Sequence, residues 1–167
     1  MTKRLVRPET DEMDFSVSSV SSFWLSTLVR IDATWNPSAW SEKLFHQEFA
    51  NRNAEILGLF VEEELIGYVI AHVILDEAHI VSLGVTPERR GLGGGSFLLA
   101  ALMQKLKRLC VKVVTLEVRE SNRLARKLYL SHGFEEVGVR RRYYSSNQED
   151  AIAMRYEITS ALPVDRF

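Results

Sequence analysis

A glycine-rich segment near the middle of the chain has the residue types of an anion-binding turn. It consists of Arg90, Gly91, Leu92, Gly93, Gly94, Gly95 and Ser96. Apolar residues then recur at helical intervals over residues 98–110, which predicts an amphipathic helix directly after the glycines. The first N–H groups of a helix have no acceptor within it, and glycines let an anion approach the backbone closely. The sequence therefore predicts that this turn binds a phosphate-bearing ligand.

The other reactive residue types have simpler interpretations when taken alone. Glu117 shares one face of a predicted strand with Thr115 and Arg119, and this spacing by itself favours a surface ion pair. The single cysteine, Cys110, belongs to the apolar repeat and is interpreted as a core residue. We predict no metal site, because metal-ligand spacing is missing among His46, His72, His79 and His132.

Composition indicates one globular domain. The chain of 167 residues is long enough to bury a core, and 46% of the residues are hydrophobic while 26% are charged. We place the domain at 1–160 and a tail at 161–167. A net charge of -1 argues against a general nucleic-acid or membrane partner, although basic residues around the glycines suit a small polyanion. One cysteine, no long apolar run and no signal peptide predict a cytoplasmic protein.

Hydrophobic periodicity divides the chain into helices and strands. A serine-rich segment over residues 11–30 is predicted to be a helix, and a second helix is predicted after Ser38 or Ser41. Strand, glycine helix, strand is a βαβ unit, so its two strands should be parallel, whereas the three strands up to that helix should form an antiparallel meander. The other predicted elements are strands at 3–7, 56–61, 65–75, 79–85, 113–119, 134–141 and 151–158, and a helix at 121–132 that ends at Gly133.

Two known phosphate-binding motifs, the dinucleotide fingerprint and the P-loop, have glycine patterns similar to this segment. Its spacing nearly matches the dinucleotide fingerprint, with Ser96 in place of the third glycine. In that fold the first glycine follows its strand almost at once, whereas five residues separate Val85 from Gly91 here. The unit also lies in mid-chain, behind the meander, and no Gly-Lys-Ser/Thr follows to make a P-loop. The spacing therefore disfavours a dinucleotide and excludes a P-loop.

Several further motifs follow one another in order along residues 36–158. From the glycine loop onward they are Arg90-x-x-Gly93-x-Gly95, LEVRESN at 116–122, Leu128-Tyr129, His132-Gly133-Phe134, and RRRYY at 140–144 followed by EDAI at 149–152. Together they resemble the GNAT acetyltransferases. WSEKLF at 40–45, DEAHI at 76–80 and the end of the chain resemble one branch in particular, the RimI-type ribosomal-protein-alanine N-acetyltransferases.

The resemblance implies a fold, a coenzyme and its binding residues. The fold is α/β, a mixed and mostly antiparallel central sheet with helices on both faces and a parallel strand pair around the glycine helix. Acetyl-CoA is the implied co-substrate, with its pyrophosphate on the N–H groups of residues 91–96 beside Arg90. Asn122 is expected either to contact the coenzyme or only to cap the following helix. The pantetheine arm would lie along the backbone of Leu83, Gly84 and Val85.

By the same resemblance, Glu117 is the general base and Tyr129 the general acid. Glu117 would take a proton from the acceptor amine, and Tyr129 would protonate the departing thiolate. An α-amine, with a pKa of about 8, is easier to deprotonate than a lysine at about 10.4, which favours an N-terminal acceptor. Tyr143 and Tyr144 would line the acceptor groove; the alternative for them is a cross-strand aromatic pair.

The resemblance makes the N-terminal alanine of a small-subunit ribosomal protein the leading acceptor. Two alternatives remain open, namely lysine or small-amine acetylation on the same fold and an acyl-CoA-binding sensor without turnover. The chain also departs from the RimI-type pattern, because Pro37 precedes Trp40 by three residues and segment 11–30 is serine-rich. Both departures fall near the expected acceptor side, so they bear on the acceptor more than on the coenzyme.

Overall fold

The computed structural model describes residues 13–159 and shows a seven-stranded sheet with helices on both faces. In chain order the elements are β1 (Phe15–Ser19), a 3₁₀ turn (Ser22–Trp24), α1 (Leu25–Ala33), α2 (Glu42–Ala50), β2 (Ala54–Val61), β3 (Glu64–Ile74), β4 (Glu77–Val85), a 3₁₀ turn (Pro87–Arg89), α3 (Gly94–Arg108), β5 (Val113–Arg119), α4 (Arg123–Ser131), β6 (Glu135–Tyr144) and β7 (Glu149–Glu157). Across the sheet the strand order is β1-β2-β3-β4-β5-β7-β6.

The strand pairing follows the sequence prediction closely. β2, β3 and β4 form the antiparallel meander, and β4 and β5 form the parallel pair around α3. Alternating burial accounts for the strands themselves: in β5, Val114, Leu116 and Val118 are buried while the residues between them are partly exposed. The predicted mixed, mostly antiparallel sheet is therefore confirmed.

The sheet separates two hydrophobic cores. On one face, α3 and α4 supply side chains such as Leu98 and Tyr129 to a core that includes Val69. On the other face, α1 and α2 supply Leu28 and Phe45 to a second core. The glycine turn and α4 thus lie on one face of the sheet, and the loop between α1 and α2 belongs to the opposite face.

β4 and β5 separate after a short ladder. The paired residues run from Glu77 with Val113 to Ile80 with Leu116. Directly after Ile80 the register between β3 and β4 shifts, and from there to Val85 strand β4 is paired with β3 alone. Because a bulge bends the strand that carries it, the end of β4 faces a gap instead of a neighbouring strand. This gap joins the two faces of the sheet.

The predicted helix over 11–30 is wrong in its first half. Phe15–Ser19 is a strand that pairs antiparallel with β2, and α1 begins only at Leu25. Phe15 and Val17 alternate with serines and pack against the core beneath α3. Pairing with β2 and burial of these two side chains outweigh the weak helical periodicity of the segment, as tertiary contacts commonly do.

Cys110 is exposed, so its interpretation as a core residue is also wrong. Helix α3 ends at Arg108, and Cys110 adopts a left-handed backbone with φ of 62° in the turn that follows. The last buried member of the apolar repeat is therefore Leu106. The predicted strand 3–7 and the tail 161–167 lie outside the described residues.

A buried carboxyl group ties α1 to the loop that follows it. Asp32 is 0% exposed and accepts hydrogen bonds from the Tyr68 hydroxyl at 2.6 Å and the Trp40 amide at 2.6 Å. Because the Tyr68 proton is directed at Asp32, the Ser82 hydroxyl donates to the Tyr68 oxygen at 2.8 Å. The network holds the α1–α2 loop against β4, close to the end where β4 and β5 diverge.

Asp32→Ala is expected to lower the free energy of unfolding by about 3 kcal/mol, because it leaves the buried Tyr68 hydroxyl and the partly buried Trp40 amide without their shared acceptor. Urea denaturation monitored by tryptophan fluorescence measures the loss. The matched control is Asp76→Ala, since Asp76 pairs with Lys112 at 2.9 Å on the exposed surface and should contribute little. Equal losses in the two variants would contradict the assigned role of Asp32.

Candidate active site

A cavity of about 690 Å³ passes through the gap between β4 and β5. Its walls are the glycine turn before α3, the end of β4, the end of β5, α4 and the loop between α1 and α2. This volume lies within the range of small-molecule and cofactor sites. Most of the site residues predicted from separate parts of the sequence meet in this one space.

The glycine turn presents open space in front of α3. Gly91 and Gly93 have φ of 74° and 88°, a backbone that favours glycine, and a Cβ built on either would meet nothing within 4 Å. Phe97 donates the first amide of the helical ladder to the Gly93 carbonyl at 2.9 Å. The preceding amides therefore have no helical acceptor, and they can bind the pyrophosphate that the resemblance implies. These amides belong to Gly94, Gly95 and Ser96.

Side chains beside the glycines anchor the turn and add positive charge. Arg90 Nε donates to the Val85 carbonyl at 3.1 Å, which ties the turn to the end of β4. A guanidinium nitrogen of Arg89 lies 3.4 Å from a Glu64 carboxylate oxygen. Both arginines line the cavity. Leu92 is half exposed and lies outside the lining, so only its backbone contributes to the turn.

The end of β4 offers bare backbone to the cavity. Leu83, Gly84 and Val85 bond to β3 on one side, and their other side faces the gap. Trp35 packs over Gly84 so closely that a Cβ at this position would clash with the indole. The indole Nε1 is buried and has no hydrogen-bond partner among residues 13–159. A glycine is therefore required at position 84 by the fold around the cavity.

Glu117 stands where β4 and β5 separate, and its carboxylate is part of the cavity wall. Its side chain is 11% exposed. Arg140 Nε donates to Oε1 at 2.9 Å, and His79 Nε2 lies 2.9 Å from Oε2. The ion pair that the spacing favours is thus present: the Glu117 carboxylate lines the cavity, whereas its partner Arg140 is largely exposed and lies outside the lining.

Tyr129 reaches the cavity from the last turn of α4. Gly133, with φ of 86°, ends this helix in a Schellman motif: Phe134 N–H bonds to the Tyr129 carbonyl at 3.1 Å and Gly133 N–H to the Leu130 carbonyl at 3.0 Å. The Phe134 ring packs edge-on against Tyr129 at 5.5 Å, so the predicted cap and packing are confirmed. Burial raises the pKa of Tyr129 well above the ordinary tyrosine value, and nearby Tyr144 adds to the shift.

Two further contacts support the part of the cavity between α3 and α4. Asn122 is the N-cap of α4, since its Oδ1 accepts a hydrogen bond from Ala125 N–H at 3.1 Å, and it also lines the cavity. The capping role that the sequence allows is therefore present. Ser96 Oγ lies 2.7 Å from His132 Nε2, which links the start of α3 to the end of α4.

The two tyrosines of the RRRYY motif have different surroundings. Their rings pack edge-on at 5.1 Å, so the aromatic pair is present. Tyr144 lines the cavity beneath the guanidinium of Arg119, which lies 3.9 Å from the ring centre. Burial raises the pKa of Tyr144 to about 12, although Arg119 acts in the opposite direction. Tyr143 is half exposed and lies outside the cavity lining.

Arg119 links three elements at the edge of the cavity. Its guanidinium donates to Glu149 at 3.0 Å in the β6–β7 hairpin, to Ser146 at 3.2 Å in the hairpin turn, and to Ser38 at 3.1 Å in the α1–α2 loop. The Ser38 and Ser146 hydroxyls themselves lie 3.3 Å apart. Hydrogen bonds from Ser121 lower the pKa of Glu149 to about 2. Through the bonds of Arg119 and the contact between Ser38 and Ser146, the α1–α2 loop and the hairpin turn meet across the cavity.

Three residues of this site were not predicted from the sequence. Arg119 follows Glu117 on the same strand face, which was the available signal, and His79 lies within the DEAHI motif. Trp35 carries no sequence signal, because its position over Gly84 depends on how α1 packs on the sheet. Within residues 13–159, no group of three His, Cys, Asp or Glu side chains is arranged to hold a metal ion. None of the helices in that range is both long and apolar enough to span a membrane.

Comparison with known proteins identifies relatives along most of the chain. The model of the Acetyltransferase (GNAT) family matches residues 25–134. The [ribosomal protein bS18]-alanine N-acetyltransferase of Salmonella typhimurium is 35% identical over 148 residues, which cover 86% of this chain and 98% of that protein. The protein of the same name in Escherichia coli K12 is 34% identical over 146 residues, with the same coverage of 86% and 98%.

Solved structures agree with these relatives. The crystal structure of the ribosomal-protein-S18-alanine N-acetyltransferase from Escherichia coli has a TM-score of 0.82 and 32% identity, covering 92% of this chain and 99% of that one. Arabidopsis thaliana NAA60 in complex with acetyl-CoA shares the fold, with a TM-score of 0.79 at 19% identity over 87% of this chain and 99% of that one. This chain belongs to the GNAT acetyltransferase family.

Proposed function

We propose that this chain acetylates the N-terminal alanine of ribosomal protein bS18, the acceptor that its relatives' names state, and that acetyl-CoA is the donor. The observation that carries the proposal is the continuous cavity, which connects the glycine turn on one face of the sheet to Glu117 through the gap between β4 and β5. Acetyl-CoA supplies the acetyl group as a thioester. Both co-substrates occur in the cytoplasm, so we infer a cytoplasmic location.

Backbone groups hold the coenzyme in this proposal. The amides of residues 91–96 receive the pyrophosphate, and the positive end of the α3 dipole adds to the attraction. The exposed backbone of Leu83, Gly84 and Val85 bonds to the pantetheine arm as a neighbouring strand would. Arg90 and Asn122 line the same space and complete the coenzyme side. Together these groups direct the thioester into the gap beside Glu117.

Glu117 removes the proton from the acceptor amine. The carboxylate is largely shielded from solvent, and its contacts with Arg140 and His79 fix its orientation. An α-amine has a pKa of about 8 and is partly neutral at physiological pH, whereas a lysine amine at about 10.4 is almost fully protonated. Glu117 therefore removes a proton from an α-amine more easily than from a lysine amine, which favours an N-terminal acceptor.

Tyr129 stabilises the departing sulfur. Its hydroxyl stays protonated at neutral pH, because burial raises its pKa. Complete proton transfer from such a phenol to a thiolate, whose conjugate acid has a pKa of about 8.5, is uphill. Donation of a hydrogen bond to the sulfur is therefore the main contribution of Tyr129, and the thiolate takes its proton from solvent after the C–S bond has broken.

The acceptor enters on the α1–α2 face, beneath the contact between Ser38 and Ser146. Tyr144 and Trp40 line this part of the cavity, and Tyr143 flanks it from the edge strand. The Ser38–Ser146 contact forms a roof over this opening, and a flexible protein N-terminus can extend beneath it. Arg119 keeps the roof closed through its hydrogen bonds to both segments.

Arg119→Met is expected to raise the acceptor KM about tenfold while the Kd for coenzyme A changes little, because the lost bonds release only the acceptor roof. Steady-state kinetics with varied acceptor peptide and calorimetric titration with coenzyme A separate the two effects. Arg141→Met is the matched control, since Arg141 pairs with Asp150 at 2.8 Å on the exposed outer side of the hairpin. A weaker affinity for coenzyme A in Arg119→Met, with an unchanged acceptor KM, would contradict the assignment.

The function itself is tested with acceptor peptides and acetyl-CoA. One peptide carries the first residues of bS18 with a free N-terminal alanine and an internal lysine, a second has the N-terminus blocked, and a third lacks the lysine. Mass spectrometry locates the acetyl group. We expect acetylation of the α-amine in the first and third peptides and none in the second. Acetyl on lysine alone would overturn the acceptor class, and coenzyme binding without any turnover would indicate a sensor.

A further inference from the structure

His79 lies beside the proposed base, where its contact helps to orient the carboxylate, but the effect of its charge on that base is a separate matter. Its Nε2 lies 2.9 Å from Glu117 Oε2, and its Nδ1 lies 2.9 Å from Thr115 Oγ1. His79 and Thr115 are register partners in the parallel β4–β5 ladder, so the ladder itself fixes the imidazole against β5. The His79 side chain is 40% exposed, whereas Glu117 is 11% exposed. The imidazole thus lies between the buried carboxylate and solvent.

We propose that His79 is a positioning residue that holds Glu117 and switches the strength of this base with pH. The inference rests on the proposed role of Glu117 as general base. When the imidazole is protonated, both ring nitrogens donate, one to Glu117 and one to Thr115 Oγ1. The adjacent cation then stabilises the carboxylate and opposes its uptake of a proton from the acceptor.

Loss of the imidazole proton has the opposite effect. Nε2–H still donates to Glu117 and preserves its orientation, while Nδ1 accepts the Thr115 hydroxyl proton. The carboxylate then faces one fewer positive charge and accepts a proton more readily. Imidazole is the side chain that changes charge in the neutral pH range, whereas the guanidinium of Arg140 on the other oxygen stays charged. The base is therefore weaker at acidic pH and stronger above neutrality.

The other charged groups around His79 are already paired with each other. His72 of β3 is the register partner of His79, and its Nε2 lies 2.7 Å from Glu48 Oε2 of α2. Arg155 of β7 is the register partner of Thr115 and pairs with Glu157 at 2.9 Å. Glu117 is the charged group that contacts the imidazole directly. The charged and titratable groups that face His79 from the packed elements are Glu48, His72, Glu117, Arg140 and Arg155.

The test measures kcat/KM between pH 5.5 and 8.5 for each variant and for the unmodified enzyme. At each pH the value of the variant is divided by the value of the unmodified enzyme. The ratio cancels the ionisation of the acceptor amine, which all forms of the enzyme share. His79→Gln keeps a donor to Glu117 but has no charge, so its ratio should fall about tenfold from the acidic to the basic end. His79→Arg carries a permanent charge, so its ratio should fall in the same direction from about 1 to about 0.1. A purely structural role for His79 would give ratios that do not depend on pH.

His72→Gln is the matched control, because it alters the neighbouring histidine on the same face of the sheet and leaves Glu117 untouched. Its ratio should stay constant with pH. A constant ratio for His79→Gln, or the same slope for His72→Gln, would overturn the inference. Glu117→Gln distinguishes a failure of the proposed base from a failure of the inference about His79. If this variant keeps full activity, Glu117 is not the base. If it is inactive while the His79→Gln ratio is flat, only the role of His79 is wrong.

Discussion

Glu117→Gln is expected to lower kcat by about 10²- to 10⁴-fold, because the amide cannot take the proton from the acceptor amine. The side chain keeps its shape, and the glycine turn that is proposed to bind the coenzyme, on the other face of the sheet, is untouched. The Kd for coenzyme A should therefore stay within about twofold of the original value. Steady-state kinetics with a free N-terminal peptide and calorimetric titration with coenzyme A measure the two quantities.

Glu48→Gln is the matched control for this change. Glu48 also contacts a histidine, His72, at 2.7 Å, but it belongs to α2 and lies outside the cavity lining. Its substitution should leave kcat close to the original value. Retention of full activity by Glu117→Gln, or an equal loss in Glu48→Gln, would show that the carboxylate at position 117 is not the base.

Tyr129→Phe is expected to lower kcat about 10²-fold, because the departing sulfur loses its hydrogen-bond donor. The phenyl ring keeps its packing against Phe134, and the hydroxyl has no hydrogen-bond partner among residues 13–159, so Tm should change little. Kinetics and thermal unfolding are measured on the same preparation. An acetyl thioester with a more acidic thiol should reduce the defect, since a better leaving group needs less stabilisation.

The control for Tyr129 is Tyr156→Phe. Tyr156 packs on the same Phe134 ring at 5.4 Å but does not line the cavity. It should retain full activity with an unchanged Tm. A defect in Tyr129→Phe that is independent of the leaving group, or that is matched by Tyr156→Phe, would assign the hydroxyl a structural role instead.

Local patterns in the sequence predicted most of the fold. The glycines before α3, the alternation in β5 and the Gly133 cap each involve neighbours in the chain, so their backbone preferences are visible without a partner. The predictions for Phe15–Ser19 and for Cys110 were wrong because the local pattern lacked the information that decides each structure. A short serine-rich strand needs its partner β2 before it can be recognised, and an apolar repeat does not show at which residue its helix ends.

The sequence by itself determined an anion-binding glycine turn before a helix, and through the family resemblance it proposed Glu117 and Tyr129 as base and acid, because motifs over a few residues carry these assignments. Only the tertiary structure decided what surrounds them. His79 meets Glu117 because the parallel ladder pairs residues 36 positions apart and so sets His79 opposite Thr115, two residues before Glu117. Arg119 meets Ser38 across a separation of 81 residues. The bulge after Ile80 then opens the sheet beside Glu117. Such contacts depend on strand register and packing, which no local pattern of residue types records.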